Sequence, residues 1–152
     1  MRKLLGLDVG DSKIGVALSD ALGYTAQGMT TFKRRSLWHD LRYLQRLIVE
    51  HDVEEVVIGL PLKMDGTRSA QTEKVLTFCD FLSKHLPVPV RTWDERLTTV
   101  QAIKILKRGH INRKHRAPLV DKIAAVIILQ GYLDRKNLEK EFKEIASSDE
   151  LA

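Results

Sequence analysis

The stretch Lys3-Leu4-Leu5-Gly6-Leu7-Asp8-Val9 is followed, after only Gly10-Asp11-Ser12, by a second alternating stretch, Lys13-Ile14-Gly15-Val16-Ala17-Leu18-Ser19. Two strand-like segments joined by so short a link turn back on one another, because a parallel connection needs about a dozen residues or more. The chain therefore opens with a hairpin. A threonine-rich stretch at residues 25–33 extends it to a three-stranded antiparallel meander. One residue is out of keeping with a buried strand: the acid Asp8, where an apolar residue would be expected.

The periodicity then changes. From Ser36, apolar residues recur at Leu37, Leu41, Leu44 and Leu47/Ile48, the spacing of a helix with Ser36 as its N-cap. Val56-Val57-Ile58, within residues 54–60, is a β-branched run suited to a buried parallel strand. Pro61 and Asp65-Gly66 predict a loop, residues 69–85 a second helix, and residues 88–93 a fifth strand. A third helix is expected over residues 98–108, ending at Gly109. Residues 108–117 (RGHINRKHRA) predict a polar loop, with Pro118 opening a fourth helix whose body, 123–129, is apolar nearly all round. From Asp134 the chain is charged, and it is expected to continue the helix and then fray. The order βββαβαβαα predicts an α/β fold. Three antiparallel strands precede two parallel ones, reached by right-handed crossovers, with helices on both faces of the sheet.

A length of 152 residues fits one domain. No apolar run approaches the ~20 residues that span a bilayer, so no membrane association and a cytoplasmic location are the default expectations. The lone Cys79, among Leu76, Phe78, Phe81 and Leu82, reads as a buried thiol and rules out a cysteine zinc site. The net charge of +5 permits a polyanionic partner without specifying one.

Three acids stand out. Asp8 falls at the carboxyl end of strand one, the edge where open α/β sheets bind ligands. Glu95 follows strand five in Thr92-Trp93-Asp94-Glu95-Arg96-Leu97-Thr98-Thr99, and emerges on the same edge if the two strands are parallel. Asp121 lies in the first turns of the apolar helix. Each has a structural explanation: a turn cap for Asp8, a partner for Arg96 or Arg91 for Glu95, a helix-dipole interaction for Asp121. Gathered at one edge, however, three carboxylates repel one another. Oxygen-preferring divalent cations, Mg2+ or Mn2+, would relieve that repulsion and support two-metal hydrolysis of a phosphodiester.

The motifs Gly6-Leu7-Asp8-Val9-Gly10 with Lys13-Ile14-Gly15-Val16-Ala17, Val57-Ile58-Gly59-Leu60-Pro61-Leu62 with Met64-Asp65-Gly66-Thr67, Asp94-Glu95-Arg96-Leu97-Thr98-Thr99, and Val120-Asp121-Lys122-Ile123-Ala124-Ala125 occur in that order across residues 4–133. With them the chain resembles the YqgF/RuvX family of the ribonuclease H-like superfamily. The resemblance implies a ribonuclease H-like nuclease domain over residues 1–137, and the charged tail at 138–152 lies outside it. It implies that Asp8, Glu95 and Asp121 are metal-binding catalytic acids. It also implies a nuclease acting in 5′-end maturation of 16S ribosomal RNA, with Holliday junction resolution as the alternative. The family commonly carries a small hydroxyl residue at position 11, where this chain has Asp11.

A polyanion approaching these acids needs positive charge nearby. Lys13 and Arg96, beside the acids, and Arg108, Arg113, Lys114 and Arg116, in the basic loop, are the candidate phosphate contacts. Trp93 and Trp38 are expected in the core. The expected partner is nucleic acid: structured RNA such as a 16S precursor or pre-ribosome, or branched DNA in the alternative. A junction resolvase would be expected to be a two-fold dimer; otherwise a monomer or weak homodimer is expected. A non-catalytic ribosome-assembly or nucleic-acid-binding factor is a further reading, but negative charge facing phosphates would serve such a factor poorly.

Overall fold

The structure, a computed structural model, describes residues 3–100 and 113–151, with side chains described for 3–100 and 121–148. Five strands form one sheet: β1 (Lys3–Val9), β2 (Lys13–Ser19), β3 (Ala26–Lys33), β4 (Val53–Leu60) and β5 (Val90–Asp94). Their order is β3-β2-β1-β4-β5, with β1–β2 and β2–β3 antiparallel and β1–β4 and β4–β5 parallel. The predicted mixed sheet is therefore present, meander and parallel pair included.

Helices α1 (Leu37–Glu50) and α2 (Ala70–His85) cover one face. Ser36 caps α1 by accepting from the His39 N–H, and Ser69 and Thr72 form a reciprocal capping box on α2. The core between them and the sheet holds Leu5, Leu7 and Ile58 from the strands, Leu44 from α1, and Phe78 and Leu82 from α2. Cys79 lies in this core, and burial pushes its thiol up to about 11. The other face is covered by α3 (Arg113–Leu151), whose Ala124, Ala125, Ile128 and Leu129 pack on Leu4, Ala17 and Val57. At the far end of the sheet α3 is tied down through Glu55, which accepts from the Tyr132 hydroxyl and from Lys136 Nζ at 3.2 Å. Gln130 and Asn137 stitch it to the β2–β3 turn by donating to the Tyr24 and Gly23 carbonyls at 2.8 and 2.9 Å.

The helix can lie this close because the strands beneath it carry glycine. A Cβ added at Gly15 would stand 2.2 Å from the Asp121 carbonyl oxygen. One added at Gly59 would stand 2.4 Å from Ile128 Cδ1. Glycine in a strand interior weakens it unless another backbone must approach there, which is the case here.

The structure departs from the sequence reading in several places. The fifth strand begins at Val90 rather than Val88, because Pro89 has no N–H for the ladder; its carbonyl still accepts from the Val56 N–H at 2.9 Å. The last helix begins at Arg113, not Pro118, so Arg113, Lys114 and Arg116 lie on a helix rather than in a loop. Pro118 then falls in the second turn, where its missing N–H removes one main-chain bond. The helix also continues to Leu151 without the expected fraying, in a stretch rich in good helix formers and supported by the Arg135–Glu139 pair at 3.3 Å. The helix expected over residues 98–108 lies outside the described residues beyond Val100, which is buried and helical. Trp93 packs in the core beneath α3, edge-on to Tyr132, whereas Trp38 is 56% exposed, lying edge-on to Phe81 on the outer side of α1.

Two stability measurements follow. Gly15→Ala should lower the unfolding free energy in urea by about 1–3 kcal/mol, the cost of overpacking against a main chain that cannot yield. The Cys79 thiol should resist a disulfide reagent at pH 8 in the folded protein and react once it is unfolded. Because folding raises this thiol's pKa from 9.0, its linkage contribution is complete below pH 9 and is lost as pH rises toward 11. Cys79→Val should flatten stability over that window.

Candidate active site

Alternation along β1 sends Leu5, Leu7 and Val9 into the α1/α2 core and Leu4, Gly6 and Asp8 toward α3. Asp8 is thus the last residue on the α3 face of the central strand, with 5% of its surface exposed. In register it stands opposite Gly15 of β2. The main chain of Asp121 packs directly over that glycine, with Asp121 Cβ 3.3 Å from where a Gly15 Cβ would be. On the other side Leu7 pairs with Ile58 of β4, so Asp8 and Gly59 are one step further along the same ladder. A Cβ at Gly59 would be 2.8 Å from Glu95 Oε1. Two glycines therefore flank Asp8, and each makes room for a second acid. Asp121 lies over one and Glu95 over the other.

All three acids are buried, at 5% for Asp8, 1% for Glu95 and 5% for Asp121. The structure brings together, on one face and at one edge, the three that the sequence singled out. They offer oxygen donors alone, the donor chemistry of hard divalent cations. The sole thiol is on the opposite face of the sheet. As the side chains stand, no three His, Cys, Asp or Glu among the described residues are grouped closely enough to hold an ion. The site is thus an open row of acids, one each from β1, α3 and the segment after β5, rather than a closed cage.

Glu95 owes its place to a 3-10 turn, Glu95–Leu97, which ends β5. Asp94 caps the turn by accepting from the Arg96 N–H at 2.9 Å, and Thr98 donates to the Glu95 carbonyl through its N–H at 3.2 Å and its hydroxyl at 3.1 Å. Arg96 folds back on Asp94, with Nη2 2.7 Å from Oδ2 and Nε 3.1 Å from both oxygens. The Arg96 guanidinium, first through these hydrogen bonds, holds the Asp94 carboxyl below its ordinary range. Its Nη1 donates to the Met64 carbonyl at 3.3 Å, in the loop that follows β4. That loop is closed by the Leu62–Arg68 bridge and by the Gly66 N–H donating to the Lys63 carbonyl at 2.8 Å. Gly66 has φ +87°, and a Cβ there would meet Arg96 Nη1 at 3.1 Å. Arg96, expected as a phosphate contact, is engaged in latching this loop beside Glu95.

Lys13 opens β2 two residues before Gly15, so alternation puts it on the face that carries the acids, half-buried. Arg108 lies outside the described residues. Arg113, Lys114 and Arg116 are on the first turns of α3, ahead of Asp121, with their side chains outside the described set. Asp11 does not join the acids: it is exposed and pairs with Lys74 of α2 at 3.4 Å, on the other side of the sheet. Sequence reasoning missed the part played by Gly15 and Gly59. Their signal was present as glycines inside otherwise apolar strands.

A mixed five-stranded sheet with this order, helices on both faces and acids at the carboxyl edge of its central strand defines a ribonuclease H-like domain. Solved structures with the same fold include Thermus thermophilus RuvC in complex with a Holliday junction substrate (TM-score 0.55, 13% identity, 90% of this chain and 96% of that one). The yeast mitochondrial Holliday junction resolvase Ydc2 is another (TM-score 0.59, 11% identity, 97% and 84%). The family model described as "RuvX: Holliday junction resolvase" matches residues 2–135, and this chain belongs to that family. Relatives from Clostridium botulinum and Clostridium tetani, 48% and 52% identical over 132 residues (87% of this chain, 96% of each relative), carry the name "Putative pre-16S rRNA nuclease".

The Arg96 latch has a direct test. Arg96→Gln should speed tryptic cleavage at Lys63 and Arg68 while leaving the sheet intact. Because folding lowers the Asp94 pKa from 3.8, the latch contributes above that value and fades as pH falls through the lowered one. The stability difference between Arg96→Gln and wild type should therefore be present at pH 6 and shrink in strong acid.

Proposed function

We propose that this protein is a divalent-metal-dependent nuclease that hydrolyses phosphodiester bonds at the 5′ end of precursor 16S ribosomal RNA. The observation that carries this reading is the row Asp121–Asp8–Glu95, buried and held in place by Gly15 and Gly59. Burying three carboxylates at one edge costs more than apolar residues would at the same positions, which favours a chemical role for them. The names carried by the Clostridium relatives support the RNA substrate. The family description favours branched DNA as the second reading.

Asp8 and Asp121 would hold Mg2+ or Mn2+ and Glu95 would complete the site. An ion bound there supplies an activated water and stabilises the leaving oxygen. The chain's own groups supply the rest. Burial keeps the carboxylates largely out of bulk water. The latched loop fixes the turn that bears Glu95. Lys13, on the acids' face, is the cation placed to orient a phosphate, with Arg108, Arg113, Lys114 and Arg116 of the basic segment guiding the strand. Among the described residues no helix is long and apolar enough to cross a membrane, which suits a cytoplasmic enzyme working on pre-ribosomes as a monomer or weak dimer.

The test is cleavage of a precursor 16S 5′-end RNA, a plain single-stranded RNA and a four-way DNA junction in Mg2+ or Mn2+. The precursor should be cut. Asp8→Asn and Asp121→Asn should each lower kcat by more than ~100-fold, beyond the cost of losing an outer partner of a metal ligand. Both variants should keep the wild-type circular dichroism spectrum, so that the loss reads on chemistry and not on folding. Cutting of the junction alone would replace the substrate and keep the chemistry. Cleavage that survives both substitutions would end the catalytic reading of these acids.

A further inference from the structure

On the face opposite the acids, a buried ion pair reaches back to the β1–β2 turn that follows Asp8. Asp40, in the first turn of α1, is 1% exposed. Its Oδ2 accepts from Arg34 Nε at 3.0 Å, and its Oδ1 accepts from the Arg35 N–H at 3.3 Å and lies 3.3 Å from His39 Nδ1. Arg34 is largely buried, and its guanidinium lies 4.5 Å over the Phe78 ring of α2. Had the pair served only to join α1 to α2, the guanidinium could have ended there. Instead its Nη1 donates to the Gly10 carbonyl at 2.9 Å, and the Arg34 main-chain N–H donates to the Ser12 carbonyl at 2.8 Å. One residue therefore holds two carbonyls of the β1–β2 turn. The turn itself is closed by the Gly10 N–H donating to the Lys13 carbonyl at 2.9 Å.

This turn is short and glycine-containing, and without support it would be the softest part of the acidic edge. Asp8 lies two residues before Gly10, and Lys13 ends the turn. We propose that Arg34, oriented by Asp40, is a positioning residue that fixes the β1–β2 turn and so sets Asp8 and Lys13 for catalysis. The proposal rests on the nuclease reading for its catalytic consequence. The planar fork of arginine suits the task, because it bonds a carboxylate with one edge and a carbonyl with another while stacking on a ring. Lysine, with one point charge, would reach one of these acceptors well and not both.

Removing one partner of a buried pair strands the other, so single deletions confound stability with positioning. The informative variant is Arg34→Met/Asp40→Leu, which replaces both charges by apolar groups. It should keep a thermal midpoint near wild type and an unchanged KM for the nucleic acid. Its kcat should fall between ~10- and 100-fold, the scale of a small misplacement of reacting groups. The Gly10 amide, followed by site-resolved hydrogen exchange, should exchange at least ~10-fold faster, while β4 amides stay protected. A double variant with wild-type kcat and wild-type exchange at Gly10 would overturn the proposal and leave the pair a packing feature. If that variant fails to fold, Arg34→Lys decides by the same two readouts, since it keeps a cation beside Asp40 while losing the fork. If wild type cleaves no nucleic acid, the nuclease reading fails by itself. Exchange at Gly10 then judges the clamp alone: acceleration supports it and no change refutes it.

Discussion

The seating of α3 on bare backbone is the contact on which the rest of the site depends. At Gly15 and Gly59 the strands present no side chain, and the helix and the Glu95 carboxylate occupy the vacated space. Any larger residue would lift α3 from the sheet and move Asp121 away from Asp8. Glycine costs a strand some conformational entropy and packing area. The return is an approach of helix to sheet that no residue with a Cβ allows. The lower part of the helix gains its hold by ordinary means, through Leu129 and Leu133 in the core and the Tyr132 and Lys136 contacts to Glu55.

Around this contact the edge is stiffened from two sides by the same device, an Arg–Asp pair whose guanidinium also donates to a main-chain carbonyl. Arg96, paired with Asp94, holds the Met64 carbonyl of the loop after β4. Arg34, paired with Asp40, holds the Gly10 carbonyl of the turn after β1. Each pair brackets a segment leaving a strand that bears or borders a buried acid. Clustered carboxylates push apart, and turns are where a strand end yields most easily. A guanidinium that joins a carboxylate to a main-chain carbonyl is a stiff means of resisting that movement.

Much of this was legible before any coordinates. The three-residue link at Gly10-Asp11-Ser12 dictates a hairpin, the helical spacing from Leu37 dictates a crossover, and together they set the strand directions. Asp8 and Asp121 were legible because an acid among apolar residues is rare without a reason, and Glu95 because it follows a strand expected to run parallel to the first. Chain-end details were less legible. Pro118 marks a helix start only by preference, and the helix begins at Arg113. The exposure of Trp38 was hidden because residue type predicts burial only on average, while its place at the outer edge of α1 decides it.

The sequence by itself determined the layers and the mixed sheet and named the three acids as candidates, since periodicity and turn chemistry are local properties that each segment carries alone. Only the tertiary structure decided that Asp8 stands between two glycines, that Arg96 latches a loop, and that Asp11 faces away toward Lys74. Those facts depend on cross-strand register and on which face each side chain takes when distant segments meet. Register is settled by the packing of α3, α1 and α2 against the whole sheet at once, and no single segment encodes it.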